Sequence, residues 1–391
     1  MANLPKGIIG IGAVTGYGWG REQLWEGLLS GKSAAVLTDG FGVKDDGPGW
    51  LAHVPDGGEA SDGPSRFQRA IRASTREAVT DALTRGWRPG PIVGLVHAAV
   101  LGEVDLWRDF YHGDGHLSVH DYLALMPSTP MSTAMQEFGF TGPVMNVSSM
   151  CASGNAALLT AEAWLDSGLV TDVIVAATDL SCTIENVRHF VNMGVAIVDR
   201  EPADACRPFQ TGTRGFLMAE ASSALVLSTT GDRPYALMHG GSMRHDGFHV
   251  TSIRPGLGPL QDCYESALAR AGVSAADIAY FNAHGPGTRQ CDAAEGTLVT
   301  QLFPRAGLYS VKPLVGHTQA AASLIEITAT AMGYDRGQIP APYQVAAAHP
   351  QLLDGPTAIL DGLTMKSSIG LGGHNSAVII GHRDFRPTRV A

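Results

Sequence analysis

Cysteine is scarce and shows no paired spacing in this sequence. The 391 residues include five cysteines, an odd number, and no two of them form a CxxC pair. This usage disfavours a disulfide framework and predicts free thiols in a reducing, cytoplasmic location. The chain also lacks an apolar run of membrane-spanning length, which disfavours a membrane protein. Charged residues make up 16% of the sequence without a block of one sign, and the net charge of -10 disfavours a nucleic-acid partner.

A metal site has little support in the sequence. His112, His116 and His120 are spaced four residues apart and would share one face of a helix. Gly113 and Gly115 disfavour that helix, and no carboxylate or cysteine pattern accompanies the histidines. We therefore predict no metal ion.

Glycine, in contrast, is abundant at 48 residues, which predicts many tight turns. Long apolar strands alternate with helical segments, so the sequence predicts an α/β fold with covered sheets.

Two phosphate-binding motifs nearly appear. The glycines at 10, 12 and 16 miss the dinucleotide fingerprint, and residues 27–33 are one residue short of a P-loop. A dehydrogenase is therefore disfavoured.

Residues 141–168 place a cysteine between a strand and a helix. The apolar run at 144–147 predicts a buried strand, and the spacing at 155–167 predicts a helix that ends at Gly168. Cys151 lies in the turn, where the positive end of the helix dipole favours a thiolate. Because free cysteine is often a buried small hydrophobe, a nucleophile and a core residue are equal alternatives for this stretch alone.

His284, His317 and a glycine turn at 370–373 also stand at predicted strand ends. A cysteine with histidines distant in sequence is typical of covalent acyl transfer. The chain has 14 histidines, so chance pairings leave this pattern undecided by itself.

Four segments carry further motifs. These are AHGPGTR at 283–289, SVKPLVGHT at 310–318, IGLGGHN at 369–375 and the RPF…GF segment at 207–216. They resemble, in order, the AHGTGT, SVKxxxGHT, FGFGGTN and RPFDxxRDGF motifs of the β-ketoacyl synthase family. The N-terminal strand and helix also resemble that family, so the resemblance spans nearly the whole chain.

The resemblance implies a thiolase-like fold, with two similar βαβαβαββ halves in five αβαβα layers. Residues 1–230 would form the half that carries the nucleophilic cysteine. Residues 231–391 would form the half that carries the two histidines and the glycine-rich turn. Family members are usually dimers, so a homodimer, or a heterodimer with a related subunit, is expected.

The family's Cys-His-His set corresponds to Cys151, His284 and His317, which implies the elongating branch. That branch condenses an acyl thioester on the cysteine with a malonyl thioester, with loss of CO₂ and without a cofactor. The family turn implies an oxyanion hole formed by the backbone N–H groups of Cys151 and Leu371. The family also implies that Lys312 supports the histidines electrostatically.

Two acidic positions also match the family. Glu326 either supports the site or forms a structural pair with a lysine, and the second reading is at least as strong. Asp292 and Glu295 match an acidic pair, which we interpret as ordering the loop after the first histidine.

The chain departs from the family at the substrate gate. Ile369 and Leu371 replace two phenylalanines, His374 replaces a threonine, and Pro286 replaces another threonine. These changes favour a specialised polyketide or lipid pathway over primary fatty-acid elongation. Two alternatives remain: an acyltransferase of the same fold that forms an ester or amide without decarboxylation, and a non-catalytic partner subunit.

An arginine stripe follows near one face of a predicted helix at 64–85: Arg66, Arg69, Arg72 and Arg76. A solvated helix face is the simplest explanation. The stripe nevertheless falls near the family region that docks acyl carrier protein, which is acidic, so we predict carrier docking there.

Overall fold

The computed structural model describes residues 4–43, 47–113, 118–231 and 233–385. The strands are β1 Lys6–Thr15, β2 Gly18–Trp19, β3 Val36–Thr38, β4 Gly49–Leu51, β5 Val93–Ala98, β6 Val144–Val147, β7 Asp172–Asp179, β8 Ala221–Ser228, β9 Ala236–His245, β10 Ile278–Asn282, β11 Gly307–Tyr309, β12 Gln338–Ile339, β13 Thr357–Ala358, β14 Leu363–Gly370 and β15 His374–Gly381. The helices are α1 Arg21–Leu29, α2 Arg66–Thr84, α3 Val104–His112, α4 Val119–Ala124, α5 Thr129–Phe138, α6 Ser153–Asp166, α7 Ile184–Asn192, α8 Pro202–Ala205, α9 Gly258–Ala271, α10 Arg289–Leu302, α11 Lys312–Val315 and α12 Ala322–Arg336.

Two sets of five strands repeat one arrangement. The first set has the order β6-β5-β7-β8-β1, and the second has the order β11-β10-β14-β15-β9. In each set the first three strands are parallel to one another. The fourth strand pairs antiparallel with both the third and the fifth. A short antiparallel pairing of β1 with β9 joins the sets. The α/β, two-half fold is therefore confirmed. The predicted domain boundary at residue 230 falls between β8 and β9 and remains a prediction.

Two helices lie between the strand sets. Helix α6 contacts β5, β7, β9 and β15, while α12 contacts β1, β8, β9 and β14. Every α12 residue from 322 to 334 is buried, which explains its small and apolar sequence. Gly154 lets the two helices approach, because a Cβ there would lie 2.6 Å from the backbone nitrogen of Leu324. Helices α2 and α9 cover the outer faces.

The two central helices begin in the same way. A 3₁₀ turn precedes each, Met150–Ala152 before α6 and Gln319–Ala321 before α12. Each turn starts with a non-glycine residue at positive φ, 51° at Met150 and 45° at Gln319. Side chains rarely adopt this conformation, and such strain is concentrated at functional sites.

Strand β6 forms where predicted, but it is exposed rather than buried because it is the end strand of its set. Helix α3 ends at His112, so His112 and His120 do not share a helix, while His116 lies outside the described residues. No helix in the described ranges is both long and apolar enough to cross a bilayer.

Candidate active site

The fold brings one thiol and two imidazoles together. Cys151 lies in the turn before α6, His284 follows β10, and His317 follows α11. The Sγ atom of Cys151 and one ring nitrogen from each histidine lie within 4.8 Å of one another, and all three residues are buried. The two rings are nearly perpendicular, with centroids 5.4 Å apart. Residues that are up to 166 positions apart in sequence therefore form one cluster.

Such a set of atoms is close enough to bind a metal ion, but its electrostatic environment opposes one. The positive charges of Lys312 and Lys366 act on both imidazoles and lower the pKa of each, in addition to the larger effect of burial. The same charges repel a dication. The cluster therefore suits covalent and hydrogen-bonding chemistry better than metal binding.

Both imidazoles are neutral near pH 7. Burial and the neighbouring lysines hold the pKa of His284 and His317 well below its usual value. Nδ1 of His317 accepts a hydrogen bond from the backbone N–H of Gln319, with 3.1 Å between the nitrogens. The proton of a neutral ring must then be on Nε2. His317 therefore presents an N–H donor, and the strained turn at Gln319 fixes its tautomer.

A buried chain of charges supports the histidines. Glu326 bridges Lys312 at 2.5 Å and Lys366 at 2.6 Å, and all three side chains are at most 1% exposed. The Lys312 ammonium also donates to the backbone oxygen of His284. Glu326 thus forms the lysine pair that the sequence allowed as one alternative. Lys366 was not among the predicted site residues, because its only signal is a lone lysine in an otherwise apolar and small-residue strand.

Asp292 and Glu295 order the loop after β10. Glu295 accepts hydrogen bonds from the backbone N–H groups of His284 and Gly285, both at 2.8 Å. Asp292 accepts from the N–H groups of Gly287 and Phe209 at 3.1 and 3.0 Å. Their carboxylates therefore bind backbone, as the loop-ordering interpretation requires.

The thiol of Cys151 is not ionised in the free protein. Burial raises its pKa to about 11, although Lys312 and the backbone N–H groups of Leu371 and Cys151 act in the opposite direction. Desolvation therefore outweighs these favourable contributions in the resting protein, and the effect of the helix N-terminus on the thiolate stays a prediction. The two N–H groups converge beside Sγ, where they can also stabilise an oxyanion.

This raised pKa predicts a specific reactivity profile. Thiols react as thiolates, so the rate of alkylation of Cys151 by iodoacetamide should rise about tenfold per pH unit from pH 7 to pH 9. The rate is measured by mass spectrometry of the peptide that contains Cys151. A plateau below pH 8 would show that the thiol has an ordinary or lowered pKa.

Cys151 lies where two cavities meet. One cavity, of about 320 Å³, is lined by Cys151, His284 and His317, and we call it the donor cavity. The other, of about 460 Å³, is lined by Cys151 but by neither histidine, and we call it the acyl cavity. Both volumes are in the range of small-molecule sites.

The predicted gate residues lie around this junction. Leu371 lines both cavities, Ile369 lines the donor cavity and His374 lines the acyl cavity. Ile369 is buried, whereas Leu371 is partly exposed. The three positions that depart most from the motif therefore surround the nucleophile.

Comparison with known proteins identifies the family. Residues 59–232 match the family model described as beta-ketoacyl synthase, N-terminal domain, and residues 235–345 match the corresponding C-terminal domain. The chain belongs to the β-ketoacyl synthase family. The synthase is 25% identical to the chloroplastic 3-oxoacyl-[acyl-carrier-protein] synthase II of Arabidopsis thaliana, over 95% of this chain and 74% of that protein.

Two further comparisons cover almost the whole synthase. It is 28% identical to the polyketide biosynthesis malonyl-ACP decarboxylase of Bacillus subtilis, over 97% of each chain. Its fold matches a type II polyketide ketosynthase solved in complex with its acyl-carrier protein, with a TM-score of 0.85, 20% identity, and coverage of 97% and 99%. The last similarity shows the thiolase-like fold.

The arginine stripe of the synthase is largely paired within the chain. Arg66 binds the buried Glu220 at 3.0 Å, and Arg72 binds Glu137 at 3.1 Å. Arg76 binds Asp62 and Glu137. Among the described residues, Arg69 forms no ion pair with a carboxylate. Most of the charge that carrier docking would use is therefore neutralised, and docking at Arg66, Arg69 and Arg72 remains a prediction.

Proposed function

We propose that this synthase condenses an acyl thioester held on Cys151 with a malonyl thioester, with loss of CO₂. The observation that carries this proposal is the asymmetry of the two cavities. The thiol faces both, but the two imidazoles face only the donor cavity. Enolate formation needs donors at the malonyl thioester and not along the acyl chain, so the donor cavity suits malonyl and the other suits the acyl group.

In the first half-reaction, the sulfur of Cys151 attacks the acyl thioester. The N–H groups of Cys151 and Leu371 are placed to stabilise the oxyanion that forms. The carrier thiol leaves with the proton that Cys151 loses, so protons balance and an acyl-enzyme remains. The raised pKa of Cys151 means that its deprotonation contributes to the barrier of this step.

In the second half-reaction, malonyl thioester loses CO₂ and leaves an enolate. Nε2–H of His317 and the ring of His284 donate to the enolate oxygen. The enolate carbon attacks the acyl carbon, the bond to Sγ breaks, and the Cys151 thiolate takes up one proton. Burial, together with the neighbouring lysines, keeps both imidazoles neutral, which suits hydrogen-bond donation rather than proton exchange.

The partners of this reaction are thioesters on an acyl carrier protein. The names of two relatives support this assignment. One is a 3-oxoacyl-[acyl-carrier-protein] synthase, and the other is a malonyl-ACP decarboxylase. We place the enzyme in the cytoplasm, in a specialised polyketide or lipid pathway. The five cysteines, all free thiols, fit a reducing compartment.

A dimer follows from the edge strand β6. Within the described sheet β6 pairs only with β5, and Val144 and Met145 are 39% and 44% exposed. An open apolar edge is a template for pairing with another strand. We propose that β6 pairs with its counterpart in a second copy or in a related subunit, and light scattering of the purified protein tests this.

The decisive assay for the function follows CO₂ and product together. Incubation with acyl carrier and carboxyl-labelled malonyl carrier should release labelled CO₂ in equal amount to a 3-oxoacyl product. Formation of acyl-Cys151 without CO₂ release would favour the ester- or amide-forming alternative. Absence of both would favour a partner subunit.

A further inference from the structure

The acyl cavity is lined by polar as well as apolar side chains. Its polar lining consists of Asp179, Ser181, Asn186, His189 and His374, and its apolar residues include Met150, Met193 and Val250. Such groups are unfavourable in a cavity that binds only a saturated chain, because the methylenes would bury polar groups without hydrogen-bond partners.

Part of this polar lining already has hydrogen-bond partners within the chain. Asp179 accepts hydrogen bonds from Ser181 and from the backbone of Ala320. The amide nitrogen of Asn186 donates to Ser181. These contacts order this part of the polar lining, and they leave Asp179 and Ser181 little capacity for a ligand.

The remaining polar atoms are open to a ligand. Within the described ranges, the rings of His189 and His374 and the Oδ1 atom of Asn186 make no hydrogen bond. Of these residues, His374 is the closest in sequence to Leu371, which it follows by three positions. Its ring lies over Gly372, where a Cβ would be 3.3 Å from the ring atoms Cδ2 and Nε2, and Gly372 lines the same cavity.

The position of the His374 ring is fixed by its cross-strand neighbour. His374 and His245 are paired between β15 and β9, and their rings pack edge to face with centroids 5.2 Å apart. Burial and the nearby His245 lower the pKa of His374. The ring is therefore neutral at pH 7, with one donor and one acceptor nitrogen.

We propose that the acyl cavity takes a chain that carries a hydroxyl or carbonyl oxygen near the thioester, and that His374 selects this chain by hydrogen bonding to the oxygen. The inference rests on the proposed function. A site that hydrogen-bonds a substrate oxygen discriminates against the analogue without it, because the protein group is then left unpaired. A saturated chain of equal length pays this penalty at His374.

The test is a competition between matched acyl groups. Octanoyl pantetheine competes with its 3-hydroxy or 5-hydroxy derivative, and mass spectrometry follows each acyl-Cys151 species. The wild type should favour at least one hydroxylated chain by about tenfold in kcat/KM, the ratio expected for one hydrogen bond. The His374→Leu variant should lose that preference by accepting octanoyl more readily.

Two controls separate selection from general damage. His382→Leu makes the same change at a histidine that does not line the cavity, and it should keep the wild-type ratio. His374→Gln retains a donor and an acceptor and should keep part of the preference, even if His374→Leu proves inactive. An unchanged ratio in His374→Leu, loss of the preference in an active His374→Gln, or a wild type that favours octanoyl would overturn the inference. Failure of every thioester to acylate Cys151 would instead refute the proposed function.

Discussion

Replacing Cys151 by alanine should reduce condensation by roughly 10⁴-fold or more while CO₂ release from malonyl carrier continues. Condensation needs the acyl-enzyme, which cannot form without the thiol. Decarboxylation needs only donors at the enolate oxygen, and His284 and His317 remain in the donor cavity. Product and labelled CO₂ are measured in the same reaction, so the ratio of the two reports the uncoupling.

The matched control is Cys263→Ala. Cys263 is a buried thiol in the core of the C-terminal half, where its Sγ contacts the backbone oxygen of Ser242. This variant should retain condensation, whereas Cys151→Ala with His317→Ala should lose CO₂ release as well. Substantial condensation by Cys151→Ala would contradict a covalent mechanism.

The second large effect concerns stability. Glu326→Leu leaves Lys312 and Lys366 buried without their shared carboxylate. Breaking a buried ion pair by removing one partner destabilises a protein by about 3–5 kcal/mol. We therefore expect the melting temperature to fall by roughly 5–10 °C, measured by differential scanning calorimetry at pH 7.

A compensating triple variant distinguishes unpaired buried charge from a packing defect as the cause of the lost stability. Adding Lys312→Met and Lys366→Met to Glu326→Leu removes all three charges, and much of the lost stability should return, because an apolar replacement of a buried ion cluster is often neutral. Activity need not return, since the lysines also act on the histidines. If the triple variant were less stable than Glu326→Leu alone, unpaired charge would not be the reason for the loss.

The alternation of strands and helices predicts the α/β fold, and the resemblance of four motifs to the family implies that Cys151, His284 and His317 form one site. Features that depend on contacts between residues distant in sequence are not predicted. The carboxylates that neutralise the arginine stripe come from residues as far away as Glu137 and Glu220. Lys366 has no motif of its own, and its function emerges only through Glu326.

The burial of individual residues and strands is also not evident from the sequence. The turn before α6 predicts a stabilised thiolate, yet the surrounding core raises the pKa of Cys151 to about 11. Strand β6 reads as buried from its apolar residues, yet its position at the end of the strand order leaves it exposed. Local pattern determines the element, and its neighbours determine how much water reaches it.

The repeated strand order and the matching turns before α6 and α12 divide the chemistry between two copies of one architecture. The first copy holds the thiol, while the second holds both imidazoles and the lysines. Neither copy is a smaller enzyme, so co-expressed halves could restore turnover only by reassembling across the buried central layer.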